Sequence, residues 1–121
     1  MAQTLTSFQD FFPFYVGQHS KPATRWIHLI GSLGGIVLAA VLIPNVGWWG
    51  IFGWPLMGYT FAWTSHFAIE KNKPASFGHP LWSMRGDWKM IGMMLAGRDR
   101  ELTQIARTAL ALAGPEPALK V

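Results

Sequence analysis

Residues 26–69 form the stretch that decides the fold, and they read WIHLIGSLGGIVLAAVLIPNVGWWGIFGWPLMGYTFAWTSHFAI. These 44 residues contain no Asp, Glu, Lys or Arg. A single bilayer crossing takes about 20 apolar residues, so this length predicts two crossings joined by a tight turn. Pro44, Asn45 and Gly47 supply the residues for that turn. The sequence therefore predicts a transmembrane hairpin with spans at residues 23–43 and 47–69.

The composition predicts a single membrane-embedded domain over residues 1–121. Half of the residues are apolar, a high share for a soluble protein of this size. The first 25 residues carry charges and have no apolar segment long enough for a signal peptide, so we expect the hairpin to stay in the mature protein. The chain has no cysteine, which excludes disulfides and thiolate metal sites. The net charge of +4 is modest and the basic residues flank the spans, so we expect no nucleic acid partner.

The segments around the hairpin read as shorter amphipathic helices. Residues 6–14 predict an interfacial helix capped by Thr6 or Ser7 and limited by Pro13. Two further helices are predicted at 81–96 and 98–113, the first interfacial or packed on the hairpin, and residues 114–121 read as a solvated tail. The predicted fold class is an all-α integral membrane bundle, a transmembrane hairpin with interfacial helices. Basic residues flank the hairpin's open end, so both termini should be cytoplasmic: Lys21, Arg25, Lys71 and Lys73.

The four histidines fall at one predicted depth. His28 and His66 lie the same number of residues from Gly47, so a hairpin places both about one turn inside its cytoplasmic end. His19 and His79 lie just outside the same ends. A single interfacial histidine is more often a hydrogen-bonded residue than a ligand, but four at one level indicate a metal site. We therefore predict His19, His28, His66 and His79 as metal ligands.

Carboxylates extend this candidate site. Glu70 follows His66 by four residues, on the same helix face, and Asp87 could approach from the third helix. Two histidines and a carboxylate would suit oxygen-activating ferrous iron, and an all-histidine set is equally allowed. Glu70, Asp87 and Arg25 are the candidate catalytic residues, and Glu70 taken alone is more typical of a helix-end charge paired with Lys71 or Lys73.

Two strings of residues resemble a known membrane family. The first is Gln18-His19-Ser20-Lys21-Pro22, with Arg25 and His28 after it, and the second is HFAIEKNKPASFGHPLWS at residues 66–83, with Asp87 and Met90 beyond it. Together they resemble the Mpo-type 2-hydroxy fatty acid dioxygenase family over residues 8–100. The resemblance implies an enzyme that uses Fe(II) and O₂ to remove one carbon from a 2-hydroxy fatty acid, with the motif histidines as iron ligands. In fungal members it implies an endoplasmic reticulum location; a bacterial chain would lie in the inner membrane.

The mechanistic hypothesis places the iron at the membrane interface and the acyl chain between the spans or in the lipid. Candidate substrate-binding residues at that level are Lys21, Arg25, Asn72, Lys73, Trp82 and Arg85. Each basic residue could instead be a topology or headgroup charge. Two other functions stay open: a non-catalytic lipid-binding or assembly protein, and another histidine-ligated metal enzyme such as a zinc hydrolase. Homo-oligomerisation is also left open.

Overall fold

The computed structural model describes residues 5–74 and 78–113, and within them it contains helices and no strand. The elements in chain order are α1 (Phe8–Gly17), α2 (Pro22–Val46), a 3₁₀ turn (Gly47–Phe52), α3 (Gly53–Ser65), a π turn (His66–Glu70), α4 (Pro80–Leu95) and α5 (Asp99–Ala113). The all-helical class predicted from the sequence is confirmed for these residues. The predicted tail at 114–121 lies outside them.

The helices α2 and α3 form the predicted hairpin and approach closely where α2 carries glycines. A Cβ atom added to Gly31 would lie 2.6 Å from the Cβ of Phe61, and one added to Gly35 would lie 2.6 Å from the carbonyl oxygen of Trp54. The backbones can approach this far only because these positions have no side chain. This contact sets the register between α2 and α3.

The hairpin turns later than the sequence predicted. Helix α2 continues through Pro44 to Val46, and the reversal is made by the 3₁₀ turn, with Gly47 at a φ of 79°. Pro44 removes one backbone donor without ending the helix, and the Asn45 side chain donates to the carbonyl of Val41, 2.7 Å away, instead of forming the turn. Pro55 then lies in the first turn of α3, where a proline is tolerated.

Helix α1 is also longer than predicted, because Pro13 does not stop it. Ser7 is the cap, and its hydroxyl accepts a hydrogen bond from the backbone N–H of Asp10 at 3.2 Å. Residues beyond the proline hold the helix in place by packing: Tyr15 and Val16 are buried with Phe11 in the main apolar core. Burial of these side chains outweighs the one hydrogen bond that Pro13 removes.

The core lies at the open end of the hairpin, between α1, α4 and α5. Its buried members are Phe11, Phe12, Tyr15, Val16, Leu29, Met90, Ile91, Met93, Met94, Leu102 and Ala106. Leu29 is the contribution of α2, one residue beyond His28. The three outer helices therefore cover the level of the hairpin at which the histidines were predicted.

The rest of the hairpin is apolar and largely uncovered. The helical run Pro22–Glu70 is long and apolar enough to cross a membrane, and only 33% of its most apolar window is buried inside the protein. Exposed apolar side chains follow both helices to the turn, where Trp48 and Trp49 are 79% and 77% exposed. A core helix of a soluble protein would bury most of this surface.

Candidate metal centre

Three of the four histidines converge at the level where the outer helices meet the hairpin. His19 comes from the loop between α1 and α2, His28 from the second turn of α2, and His66 from the start of the π turn. The Nε2 atom of His19 lies 3.1 Å from that of His28 and 3.1 Å from that of His66. All three rings are buried, and one nitrogen of each lies within 4.8 Å of the other two.

Each of these rings has a hydrogen-bond acceptor at its other nitrogen. The Nδ1 atom of His19 donates to the carbonyl of Tyr15 at 2.7 Å, and that of His66 donates to the side-chain oxygen of Asn72 at 2.7 Å. The Nδ1 atom of His28 donates to the Asp87 carboxylate at 3.1 Å. Because Nδ1 carries the proton in a neutral ring, each Nε2 atom presents a lone pair to the other two.

This arrangement fits a metal ion that binds imidazole. With the Nδ1 atoms protonated, no proton lies between His19 Nε2 and the two Nε2 atoms 3.1 Å from it, so a cation is the partner that would satisfy all three lone pairs. Nitrogens bound at about 2.1 Å and at right angles lie roughly 3 Å apart, which agrees with the two short separations. The ring planes are nearly perpendicular, at 77° to 88° to one another. Three neutral donors also leave further coordination positions for a substrate.

Burial keeps His19 in the neutral state that a metal ligand requires. Burial is the main cause that lowers its pKa well below the usual value, and the neighbouring His28 and His66 rings lower it further. The hydrogen bond to Tyr15 acts in the opposite direction but does not reverse the shift. The lone pair of His19 is therefore available to a metal at neutral pH.

The Asp87 carboxylate orients a ligand and is not part of the histidine group itself. One oxygen accepts from His28, and the other accepts from the Ser32 hydroxyl at 2.9 Å. The Tyr15 hydroxyl lies 3.4 Å from the same carboxylate. Of the two ligand sets allowed by the sequence, the structure brings together the all-histidine one.

Glu70 joins the two motifs that supply ligands. Its carboxylate accepts from the Ser20 hydroxyl at 2.8 Å and from the backbone N–H of Lys21 at 2.6 Å. The Lys21 ammonium in turn donates to the carbonyl of Ile69 at 2.9 Å. Asn72, which orients His66, also donates to the carbonyl of Gln18 at 2.9 Å. The loop carrying His19 is thereby fixed to the turn carrying His66.

Arg25 is fully buried, and all its donors are engaged by the protein. Its guanidinium pairs with Asp99 at 2.9 and 3.2 Å and donates to Thr103 at 2.6 Å. The remaining nitrogen donates to the carbonyls of His19 and Ser20, at 2.7 and 3.1 Å. Arg25 therefore connects α5 to the loop that carries His19, and no donor remains for a substrate.

His79, the fourth predicted ligand, lies outside the group. Its ring stacks on Trp82 at a centroid distance of 5.4 Å and contacts the ring of Phe11 at 5.3 Å. The Arg85 guanidinium lies 4.1 Å from the centroid of the Phe8 ring. Lys73 is exposed and has interactions of its own. The structure thus joins Trp82, Arg85 and His79 to α1 and not to the histidine site.

Two orienting residues were missed by the sequence reasoning. The carbonyl of Tyr15 accepts a hydrogen bond from His19. The hydroxyl of Ser32 donates to the Asp87 carboxylate, which in turn accepts from His28. Each of the two is four residues from the histidine concerned, and Ser32 shares a face of α2 with His28, so this spacing was the available signal.

A cavity reaches the site between α3 and α4. It encloses about 640 Å³ of empty space, including the part that is open to the outside. Two of the histidines line it, His28 and His66, together with Tyr15, Asp87 and Ser83. Ser83 is buried, and its hydroxyl has no hydrogen-bond partner among residues 5–74 and 78–113. The site is therefore accessible from this cavity through His28 and His66, although all three histidines are buried.

Comparison with known proteins gives one match. The family model described as 2-hydroxy-palmitic acid dioxygenase Mpo1-like matches residues 5–99. No curated protein and no solved structure matches the chain. The matched range contains all three converging histidines, and it ends at Asp99, the residue that pairs with Arg25.

Proposed function

Since the chain belongs to the Mpo1-like family, we propose that it is a membrane-embedded, Fe(II)-dependent dioxygenase that shortens 2-hydroxy fatty acids by one carbon. The observation that supports this best is the convergence of three imidazole lone pairs at the end of an apolar cavity. The family supplies the substrate class, and the donor set agrees with iron, which imidazole binds well.

The proposed reaction balances without a further reductant. A 2-hydroxy acid and one O₂ give the acid shortened by one carbon, CO₂ and water. The bond between the carboxyl carbon and the hydroxyl-bearing carbon breaks, and the latter becomes the new carboxyl carbon. The substrate loses four electrons and O₂ gains four. The bound ferrous ion would supply the chemistry that activates O₂ for this oxidation.

The residues of the chain would hold and orient the reactants. His19, His28 and His66 would bind the metal, and the acceptors on their Nδ1 atoms fix the ring orientations. Burial and the Asp87 carboxylate raise the pKa of Tyr15 well above its usual value, so its phenol keeps its proton. Tyr15 donates this proton to Asp87, so the Ser83 hydroxyl, which lines the same cavity, would be the donor for an oxygen atom of the substrate.

The basic residues predicted to bind the substrate take other roles in this proposal. Arg25 acts as a positioning residue through the carbonyl of His19, and Lys21 through the carbonyl of Ile69. The neutral Ser83 hydroxyl, and not a basic side chain, would then contact the acid group of the substrate. A carboxylate that also binds the metal needs less charge from the protein.

Insertion in a membrane forms part of the proposal. The hairpin exposes bulky apolar side chains along its length, among them Ile30, Val37, Val41 and Leu56. Lipid would cover these at no cost, whereas water would not. The histidine level would then lie near the cytoplasmic interface, with the acid group toward water and the acyl chain toward lipid.

The test is turnover by detergent-purified protein. With Fe(II), air and 2-hydroxypalmitate, mass spectrometry should detect pentadecanoate and labelled CO₂ from a carboxyl-labelled substrate. Removal of iron with a ferrous chelator should abolish both products, and added Fe(II) should restore them, whereas Zn²⁺ should not.

The controls separate the other functions. Absence of a shortened acid at every 2-hydroxy chain length, with iron bound stoichiometrically, would refute the dioxygenase. Zinc in place of iron, with oxygen-independent turnover, would identify a hydrolase. Protein that holds no metal would point to lipid binding or assembly.

A further inference from the structure

The cavity between α3 and α4 has both polar and apolar lining residues. Its polar lining residues include His28, Tyr15 and Ser32, which all contact the Asp87 carboxylate, together with His66 and Ser83. The other lining residues are mostly apolar or aromatic, and they include Trp54, Pro55, Gly58, Tyr59, Ala62, Trp63, Met84 and Trp88. An amphiphile with a short polar head and a long tail would match both kinds of lining.

Two indole rings that line the cavity lie next to each other. The ring centroids of Trp54 and Trp88 lie 6.1 Å apart, so these side chains meet across the gap between α3 and α4. Trp54 precedes His66 by twelve residues, a separation of roughly 18 Å along a helix. An extended hydrocarbon chain advances roughly 1.25 Å per carbon, so this length accommodates about 14 carbons.

Two small residues form the middle of the cavity. Gly58 and Ala62 are one helical turn apart on the face of α3 that lines it. A Cβ atom added to Gly58 would have no neighbour within 4 Å, so the position borders open space. Larger side chains at both positions would fill the path between the histidines and the indole pair.

We propose that this cavity is the acyl-chain site, in which Trp54 and Trp88 limit the chain length and Gly58 keeps the middle open. The inference rests on the proposed function for the identity of the ligand, a 2-hydroxy fatty acid. The Ser83 hydroxyl, for which the described part of the chain offers no partner, lines the same cavity as His28 and His66 and adds a donor for the polar head. The chain would lie along α3 and leave the carboxyl carbon at the metal.

The first experiment compares Gly58→Leu with Gly92→Leu. Both glycines are helical and have no neighbour within 4 Å of an added Cβ, but only Gly58 lines the cavity. Gly58 precedes His66 by eight residues, so a leucine there should obstruct tails beyond about 10 carbons. We expect kcat/KM for 2-hydroxypalmitate to fall at least about tenfold in Gly58→Leu and to hold within about twofold for 2-hydroxyoctanoate.

The converse variants each remove one of the two indole rings that line the cavity. Trp54→Ala and Trp88→Ala should move the preferred chain length upward by two or more carbons. Equal losses for long and short substrates in Gly58→Leu, or an unchanged length profile in both tryptophan variants, would overturn the assignment.

Photo-cross-linking tests the site without turnover. A palmitate with a mid-chain diazirine, added to iron-free protein in phospholipid nanodiscs, should label the segments at residues 54–63 and 84–88. Gly58→Leu should remove this labelling, and Gly92→Leu should retain it. Labelling confined to outward residues such as Val37 and Val41 would refute the site. Specific labelling without turnover would refute the dioxygenase and leave the acyl-chain site standing.

Discussion

At the scale of single residues, the site is defined by hydrogen bonds to nitrogens that would not touch the metal. The Nδ1 atoms of His19, His28 and His66 face a carbonyl, a carboxylate and an amide oxygen, and this orients the Nε2 atoms toward one another. Such partners fix the orientation of a ligand and raise its basicity. Residues outside the metal shell should therefore affect metal affinity.

The first prediction is that His66 is needed for iron binding and His79 is not. His66→Ala removes one of three converging nitrogens and should abolish stoichiometric iron binding. His79→Ala removes a ring stacked on Trp82 and should retain iron. Iron content per chain, measured by elemental analysis after purification, checks both. Loss of iron in His79→Ala from a folded protein would return His79 to the ligand set.

The second prediction concerns the orienting carboxylate. Asp87→Asn keeps the size of the side chain but replaces the charge that stabilises the Nδ1–H of His28. We expect iron affinity to fall about 10- to 100-fold. Titration of iron-free protein with Fe(II) checks this, with Asp10→Asn, a change on the outer face of α1, as the control. Equal affinities in the two variants would contradict the orienting role.

The sequence could indicate the histidines but not how they are held. The equal distance of His28 and His66 from Gly47 predicts their common depth, because a hairpin preserves register. His79 was misplaced because the segment before α4 follows no such register, and stacking on Phe11 and Trp82 draws its ring to α1. Asp87 and Asn72 were identified as site residues, but their roles depend on angles that only the folded chain supplies.

At the scale of elements, the hairpin follows from a long run without charged residues and from glycines at the contact between α2 and α3. The run without charged residues predicts two spans, and Gly31 and Gly35 explain their close approach. The turn could not be placed to the residue, because Pro44 is compatible both with a turn and with the last turns of a helix whose end is held by packing. The hydrogen bond from the Asn45 side chain to the carbonyl of Val41 likewise could not be predicted from the sequence.

The third prediction compares two glycine substitutions in helices. Gly35→Ala places a Cβ 2.6 Å from the carbonyl oxygen of Trp54 and should lower the free energy of unfolding by about 1–3 kcal/mol, because backbone must move. Gly92→Ala meets nothing within 4 Å and should stabilise α4 by about 0.5–1 kcal/mol. Unfolding in mixed detergent micelles checks the difference. A stable Gly35→Ala variant would contradict the close approach of α2 and α3.

At the scale of the whole molecule, polarity divides the protein into two parts. The outer helices α1, α4 and α5 share one buried core around the open end of the hairpin. The remainder of the hairpin presents apolar side chains outward, ending in the exposed indoles of Trp48 and Trp49. Tryptophans are typical of the boundary between lipid and water, which is consistent with a turn that reaches the opposite interface.

The fourth prediction uses the absence of cysteine, which makes every introduced thiol unique. Asn45→Cys near the hairpin turn and Arg107→Cys on α5 should label from opposite sides of the membrane. A membrane-impermeant maleimide added to intact cells should modify Asn45→Cys, and Arg107→Cys should react only after permeabilisation. Labelling of both thiols from the same side would contradict a hairpin that crosses the bilayer.

The junction between the His19 loop and the turn after α3 affects how the protein matures. Glu70, Asn72 and Lys21 connect two segments that the whole hairpin separates in sequence, and each segment contributes one histidine. A newly inserted hairpin holds only two of the three histidines until this junction closes. On the proposed function, metal binding would follow the closure of this junction, and metal occupancy would report whether a nascent chain has reached its finished form.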